Sequence, residues 1–281
     1  MRFLEVAQKR NIKIRIFKPD QFDLIVTRED KKSIVLNNEL TQLPQFLLPR
    51  QGADTPYFSL AIIRHLEQLV VPTFNSSSSV ETVKDKLYTQ QILAASNLPV
   101  PKTMFARSPL NINLIEKTIN FLVVVKTISG TQGSGVFLCE SKGHLDDLMQ
   151  LIDTAKTNTY FIIQEFIHSS RGRDSRIFVV GGRIIACLER TSRDGSFKAN
   201  FSRGGEFKVY PINEEIEWLA TESARILGLE ITGVDLLFDG EHFKVCEANS
   251  SPGFKGIEKC CPVSVPDTIF DFIKVRLGLF T

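Results

Sequence analysis

Little in this sequence leans to one side. Across 281 residues, Lys and Arg total 34 against 32 for Asp and Glu, a net charge of +2. So small an excess gives no electrostatic footprint for duplex DNA or an anionic membrane, and neither nucleic acid nor membrane is an expected partner. Long apolar runs are missing too. Residues 121–125 are far too few to span a bilayer, and residues 1–9 mix charged and apolar side chains without the apolar core of a signal peptide. A soluble, cytoplasmic protein is the expectation. The five cysteines (Cys139, Cys187, Cys246, Cys260 and Cys261) contain no C-x-x-C pair, so they read as free thiols in a reducing compartment rather than a zinc or dithiol site. The four histidines (His65, His144, His168 and His242) lie far apart and offer neither a triad nor zinc spacing. Trp218 and the phenylalanines fall on core-like positions, without the stacking pattern of an RNA-binding sheet. No internal repeat is apparent, and the serines at 76–79 form the single low-complexity stretch.

What is present is enough apolar material, 43% of residues, to bury a sizeable core, divided into two or three compact units. The first third alternates short apolar runs at 12–17, 23–26 and 46–48, read as strands, with a helical stretch at 57–69, the rhythm of a small α/β layer. Arg50 and Gly52 follow the third run, where open α/β sheets present ligand loops, although a solvated turn explains them as well. A polar break at 75–79 marks a boundary, and Ser78 followed by Glu81 has capping-box spacing. Val80, Val83, Leu87, Ala94 and Leu98 then recur at helical intervals until Pro99 and Pro101, with Lys86 off the apolar stripe. Strands are expected at 121–127, 136–139 and 160–167, with a helix at 145–152. The runs 174–180 and 183–190 flank Gly181 and Gly182 as in a two-residue hairpin, and 214–227 reads as an amphipathic helix closed by Gly228.

Three features carry chemistry. The segment 126–135 sets Gly130, Gly133 and Gly135 after Lys126, a loop whose amides suit phosphate oxygens. No Gly-Lys-Ser/Thr follows, so it is not a Walker loop, and alone it reads equally as a glycine-rich hairpin. Second, the hairpin 233–249 embeds acids in apolar strands. Such acids must shift their pKa, meet a cation or bind a metal. Glu247 and Asn249 share a face, and Asp235 joins it if the connecting loop has an odd number of residues, as a three-residue loop at 239–241 provides. Two carboxylates and an amide oxygen suit Mg²⁺, although in an isolated hairpin such acids more often bridge to Arg or Lys. Third, Arg176, Arg190, Lys198 and Arg203 sit near strand ends or in the 195–205 loop, with Asp174 on the face of Arg176. Ordinary ion pairs and a clamp for phosphate or carboxylate are equally open readings.

Together these segments resemble the ATP-grasp superfamily, most closely its RimK-type glutamate ligases, over about residues 49–257. The resemblance rests on Asp85-Lys86, Val125-Lys126, Gly130-Thr131-Gln132-Gly133-Ser134-Gly135, Gln164-Glu165-Phe166-Ile167, Asp174 with Arg176, Asn200 through Arg203 to Gly205, Gly233-Val234-Asp235, and Glu247 through Asn249 to Gly253. It implies an α/β (α+β) ATP-grasp fold with a small Rossmann-like pre-ATP-grasp domain at 1–78, a central subdomain at 79–163 and a C-terminal subdomain at 164–281. Lys86 and Lys126 would reach the phosphates of ATP under the 130–135 loop, and Gln164, Glu165, Phe166 and Ile167 would line the base and ribose, with Asp174 also on the nucleotide side. Asp235, Glu247 and Asn249 would hold two Mg²⁺ ions, or Mn²⁺ in their place. Arg203, Asn200, Arg190 and Arg176 would face the transferred phosphoryl group.

The implied reaction is attack of a carboxylate on the γ-phosphate, giving an acyl phosphate that an amine then converts to an amide. Positioning and charge neutralisation suffice, without a protein nucleophile. Glutamate is the implied amine, and a peptide, protein C-terminus or small carboxylate the acceptor. A ligase for a small-molecule or cofactor carboxylate, a kinase that stops at phosphoryl transfer, a non-catalytic ATP-binding module and a homo-oligomer stay open. Two departures bear on the resemblance. Met1 leads directly into helix-like 2–9, without the family's first strand and its loop, which implies a truncated start or a rebuilt first domain. Lys255 stands where an acidic residue is expected, beside the acceptor site.

Overall fold

The computed structural model describes residues 2–28, 34–52, 55–127, 135–154, 160–193, 197 and 205–279. The chain opens with α1 (Arg2–Lys9), followed by a small antiparallel sheet of β1 (Phe22–Asp23), β2 (Ile34–Leu36) and β3 (Glu39–Thr41). Helix α2 (Tyr57–Gln68) covers it through Ile62 and Leu66, which pack with Ile34 and Val71. The runs 12–17, 23–26 and 46–48 depart from the expected strands. Ile12 and Ile14 pack partly buried against the apolar core that includes α1 and α9, without a paired strand among the described residues. Asp23 is the last residue of its run to pair, and Leu47 makes a single parallel bridge to Thr73. Pro44, Pro49 and Pro72 flank that bridge and lack the N–H groups that would extend it.

The apolar stripe from Val80 to Leu98 forms two helices, α3 (Ser77–Lys84) and α4 (Lys86–Ala95), where one was expected. Asp85 breaks it: its carboxylate accepts the amides of Leu87 and Tyr88, both at 2.9 Å, and so caps a new N-terminus. The cap of α3 is Ser76, which accepts the Ser79 amide, in place of the expected Ser78.

A four-stranded antiparallel sheet follows, in the order β4 (Thr103–Arg107), β7 (Tyr160–Glu165), β5 (Val123–Thr127), β6 (Val136–Cys139). Helices α5 (Ile112–Thr118) and α6 (Lys142–Thr154) close its core through Ile115, Leu145 and Met149, packed on Val123, Val125, Phe161 and Ile163.

The third sheet runs β10 (Glu206–Val209), β9 (Arg183–Thr191), β8 (Arg173–Val180), β11 (Ile231–Asp239), β12 (His242–Asn249). Gly181 and Gly182 form the β8–β9 turn with φ of 57° and 74°, as their spacing predicts for a primed turn. This sheet is apolar on both faces. Ile177, Val179, Val234 and Leu236 pack against α7 (Glu214–Ile226), whereas Phe178, Val180 and Ile231 pack against α9 (Val265–Arg276) and Val6 and Ala7 of α1. The N-terminal helix is thus part of the core beneath the last sheet, and Arg10 pairs there with Asp267 and Asp271. The short α8 (Lys255–Cys260) follows β12. No described helix is long and apolar enough to cross a membrane.

Candidate active site

Side chains alternate along a strand, so a single face of the third sheet can change character from one end to the other. Along β8 one face reads Asp174, Arg176, Phe178, Val180; along β9 it reads Arg190, Leu188, Ala186; along β11 it reads Asp235, Gly233, Ile231. The apolar half meets α9, and the charged half is left as a cluster at the other end. Arg176 forks onto Asp235, donating Nε at 2.7 Å and Nη2 at 2.6 Å. Arg190 donates to Asp174 at 2.5 and 2.7 Å, and its Nη2 reaches Asp235 at 2.9 Å.

Burial works against the charge on these groups. It would raise the Asp235 carboxyl, but the guanidiniums of Arg176 and then Arg190 hold it well below the usual carboxylate range. Burial prevails at Asp174, which stays above its ordinary value despite Arg190. Arg190 loses to desolvation less than it gains from Asp235 and Asp174, so its pKa is raised and it stays charged.

The β11–β12 turn has two residues, Gly240 and Glu241, not the three expected, because Asp239 pairs with His242. A β-bulge restores the parity. Cys246 is extra on β12, so Asp235 pairs with Glu247 and Gly233 with Asn249, which brings the three expected metal ligands together. Asn249 Nδ2 donates to Glu247 Oε1 at 3.3 Å, and Glu247 lies 4.0 Å from Arg176. Two carboxyl groups side by side with an amide oxygen are a donor set that fits a hard divalent cation. Both Asp235 oxygens are taken by guanidiniums here.

Near β12, the second sheet contributes Lys126 and Gln164. Lys126 Nζ donates to Gln164 Oε1 at 2.7 Å, and Gln164 Nε2 donates to Thr103 Oγ1 at 2.9 Å. Lys126 also acts electrostatically on the Cys246 thiol, although burial prevails and pushes that thiol up to about 11. Glu165 accepts the Lys102 amide at 2.7 Å and Lys244 Nζ at 2.6 Å, which ties the end of β7 to β12. Burial opposes its charge, and these donors still lower its pKa. Phe166 packs edge-on to His168 and under Arg171, and Ile167 is buried. Lys86 opens α4 directly after its Asp85 cap, and Gly135 accepts the Thr127 amide at 2.9 Å. Gly130, Thr131, Gln132, Gly133, Ser134, Lys198, Asn200 and Arg203 lie outside the described residues.

Sequence reasoning missed Lys244, Lys102, Thr103 and Asn75. Lys244 was discoverable as a cation on the acid-bearing strand. Asn75, read only as part of a polar break, is buried and makes four hydrogen bonds: it donates to Ile231 O and Ser250 O and accepts the amides of Glu230 and Ile231. It thereby pins the start of β11 to the segment after β12.

Paired acids on the third sheet and the Lys126–Gln164 pair on the second are the charged groups expected of an ATP-dependent carboxylate-amine ligase of the ATP-grasp type. Two family descriptions match the chain: the RimK PreATP-grasp domain over residues 1–80 and the RimK-like ATP-grasp domain over 83–273. A protein of Rhodopirellula baltica named probable alpha-L-glutamate ligase is 32% identical over 98% of this chain and 68% of its own length. One of the same name from Vibrio parahaemolyticus is 34% identical over 90% of this chain and 86% of its own. The solved ATP-grasp ligase PsnB, complexed with a phosphomimetic variant of its minimal precursor, Mg and ADP, is 18% identical, covers 98% of this chain and 94% of its own, and superposes with a TM-score of 0.77. This chain belongs to the RimK-like ATP-grasp family.

Proposed function

We propose that the protein uses Mg-ATP to join glutamate, through an acyl phosphate, to the C-terminus of a peptide or protein. The observation that carries this reading is the pairing of Asp235 with Glu247 on β12, beside the Lys126–Gln164 pair, whose lysine acts electrostatically on the neighbouring Cys246. Glutamate is supported by the names of the relatives, and a peptide acceptor by the precursor held in PsnB. The free cysteines suit a reducing compartment, the cytoplasm.

In this reading the chain divides into units at 1–78, 79–163 and 164–281, with ATP between the second and third. Lys126 and Lys86 hold phosphate oxygens beneath the 130–135 loop, and Gln164, Glu165, Phe166 and Ile167 hold the base and ribose. Asp174 keeps Arg190 charged and aimed, while Arg190, Arg176, Asn200 and Arg203 neutralise the charge on the transferred phosphoryl group. Asp235, Glu247 and Asn249 hold the two Mg²⁺ ions, which when bound neutralise phosphate charge. These groups position reactants and need no covalent enzyme intermediate.

The test is ADP release from Mg-ATP across free amino acids, with and without a peptide ending in glutamate, with mass spectrometry of the products. Release that requires an amine and yields a new amide supports the reading and names the substrates. Release without any amine would make the protein a kinase instead, and no release in any mixture would count against both.

A further inference from the structure

Two cations flank the segment 249–252 after β12, and neither has a carboxylate within 4.0 Å among the described residues. Arg50 Nη2 donates to Pro252 O at 2.8 Å, and its guanidinium stands 5.7 and 5.8 Å from the ring centroids of Phe3 and Phe254. A guanidinium has five N–H donors, and a single carbonyl leaves most of them unused. Arg50 keeps exposed surface, yet protein crowds it enough that desolvation lowers its pKa to about 10, with no acid raising it. Lys84 Nζ donates to Thr55 O at 2.6 Å and lines a small hollow with Gly52, Asn249, Ser250 and Ser251.

Gly233 fixes where these cations stand relative to the charged cluster. A Cβ on Gly233 would lie 2.8 Å from Pro252 Cβ and 3.8 Å from Arg176 Cδ, so Pro252 rests on the sheet between Arg50 and Arg176. Arg176 and Arg190 are each matched by acids, and Arg50 has none among the described residues. The exposed Arg50 guanidinium, held by one carbonyl beside two rings, keeps donors for a further acceptor. The planar fork of an arginine fits a carboxylate bidentately.

We infer that Arg50, assisted by Lys84, binds a substrate carboxylate other than the one being activated. This rests on the ligase reading above. The incoming amino acid and the end of the acceptor chain are the two sources of such a group, and one experiment separates them.

Calorimetric titrations would use wild type, Arg50→Met, Arg50→Lys and Lys84→Met, each with and without Mg-ADP. The ligands are L-glutamate, L-glutamine, isoglutamine, and peptides ending in glutamate or glutamine. Methionine keeps an unbranched stem between Phe3 and Phe254, lysine keeps the charge without the fork, and melting curves check the fold of each variant. Wild type should favour acid over amide by about tenfold to hundredfold for one source, and Arg50→Met should abolish that preference. Arg50→Lys and Lys84→Met should reduce it in part, with Mg-ADP affinity unchanged throughout. The series that collapses, free amino acid or peptide, names the source.

Equal binding of acid and amide by wild type, or a preference that survives in Arg50→Met, overturns the assignment. So does a loss of Mg-ADP affinity in Arg50→Met, which would place Arg50 with the nucleotide. Wild type that fails to bind Mg-ADP would count against the ligase reading instead, and the titrations without nucleotide still decide the role of Arg50.

Discussion

Asp235 and Glu247 stand opposite each other across the β11–β12 ladder because Cys246 is bulged out of it. The two-residue turn alone would pair Asp235 with Cys246 and send Glu247 to the other face. The bulge also separates the two acids in exposure: the Asp235 side chain is 4% exposed and that of Glu247 is 46% exposed. Asp235 is locked under two guanidiniums, while Glu247 is half-exposed.

That contrast gives the two acids different mutational outcomes. Glu247→Gln should change stability by less than about 1 kcal/mol, since its contact with Arg176 is long and half-exposed and the glutamine amide oxygen can still accept from Asn249. It should nonetheless cut ADP release by about a hundredfold or more, because it removes a charge from the metal-binding set. Asp235→Asn should lose activity and also about 3 kcal/mol or more of stability, because Arg190 and Arg176 are left without their shared partner. Denaturant melts and ADP release on both variants check this. Full turnover in Glu247→Gln would remove that residue from the metal site.

The same pair sets a pH dependence. The folded Asp235 carboxyl lies below its ordinary value, so as pH falls the unfolded chain takes up its proton first. The stability Asp235 contributes is complete above about pH 4 and is lost progressively below it. Asp174 lies above its ordinary value and works in the opposite sense. Urea midpoints between pH 6 and about 2 should therefore fall more steeply in wild type than in Asp235→Asn. Parallel slopes would mean that the guanidinium pairing does not act on Asp235 in solution.

Much of this cluster was legible because strand periodicity is local. Asp174 with Arg176, and Glu247 with Asn249, share faces by the alternation of side chains, and Gly181-Gly182 announces its turn. The bulge at Cys246 was not legible, since nothing about a cysteine within an apolar strand marks it as unpaired. Neither was the fate of the first third. Residues 12–17 alternate like a strand, but Ile12 and Ile14 pack partly buried against the core beneath the last sheet while Ile16 stays exposed, and alternation does not say whether a strand partner exists. The break at Asp85 was missed because the apolar stripe continues through it, while the capping signal belongs to one residue.

Lys244 supplies a prediction about the nucleotide. It donates to Glu165 at 2.6 Å and lies 3.3 Å from Asp239, bracing β12 against the end of β7. Lys244→Met should raise KM for ATP by about threefold to tenfold, with kcat within about twofold and stability within about 1 kcal/mol, since a partly exposed pair contributes little to folding. Steady-state kinetics in ATP check this. An unchanged KM would take the Glu165–Lys244 pair out of the nucleotide pocket.

Asn75 tests whether the segment after β12 must be held in place for the chemistry to proceed. Its side-chain amide satisfies the N–H groups of Glu230 and Ile231 and the carbonyls of Ile231 and Ser250, and it is buried. Asn75→Ala leaves all four backbone groups without that partner and should cost at least about 3 kcal/mol. Asn75→Asp keeps the acceptor side and loses the donors, so the bonds to Ser250 O and Ile231 O fail while the amides of Glu230 and Ile231 stay satisfied. If the position of Ser250 controls Asn249 and Pro252, then Asn75→Asp at a temperature where it is fully folded should lower kcat by about tenfold or more. Mg-ADP affinity, which depends on the opposite wall as well, should fall less. A variant that is destabilised but turns over at the wild-type rate would assign Asn75 to the fold alone.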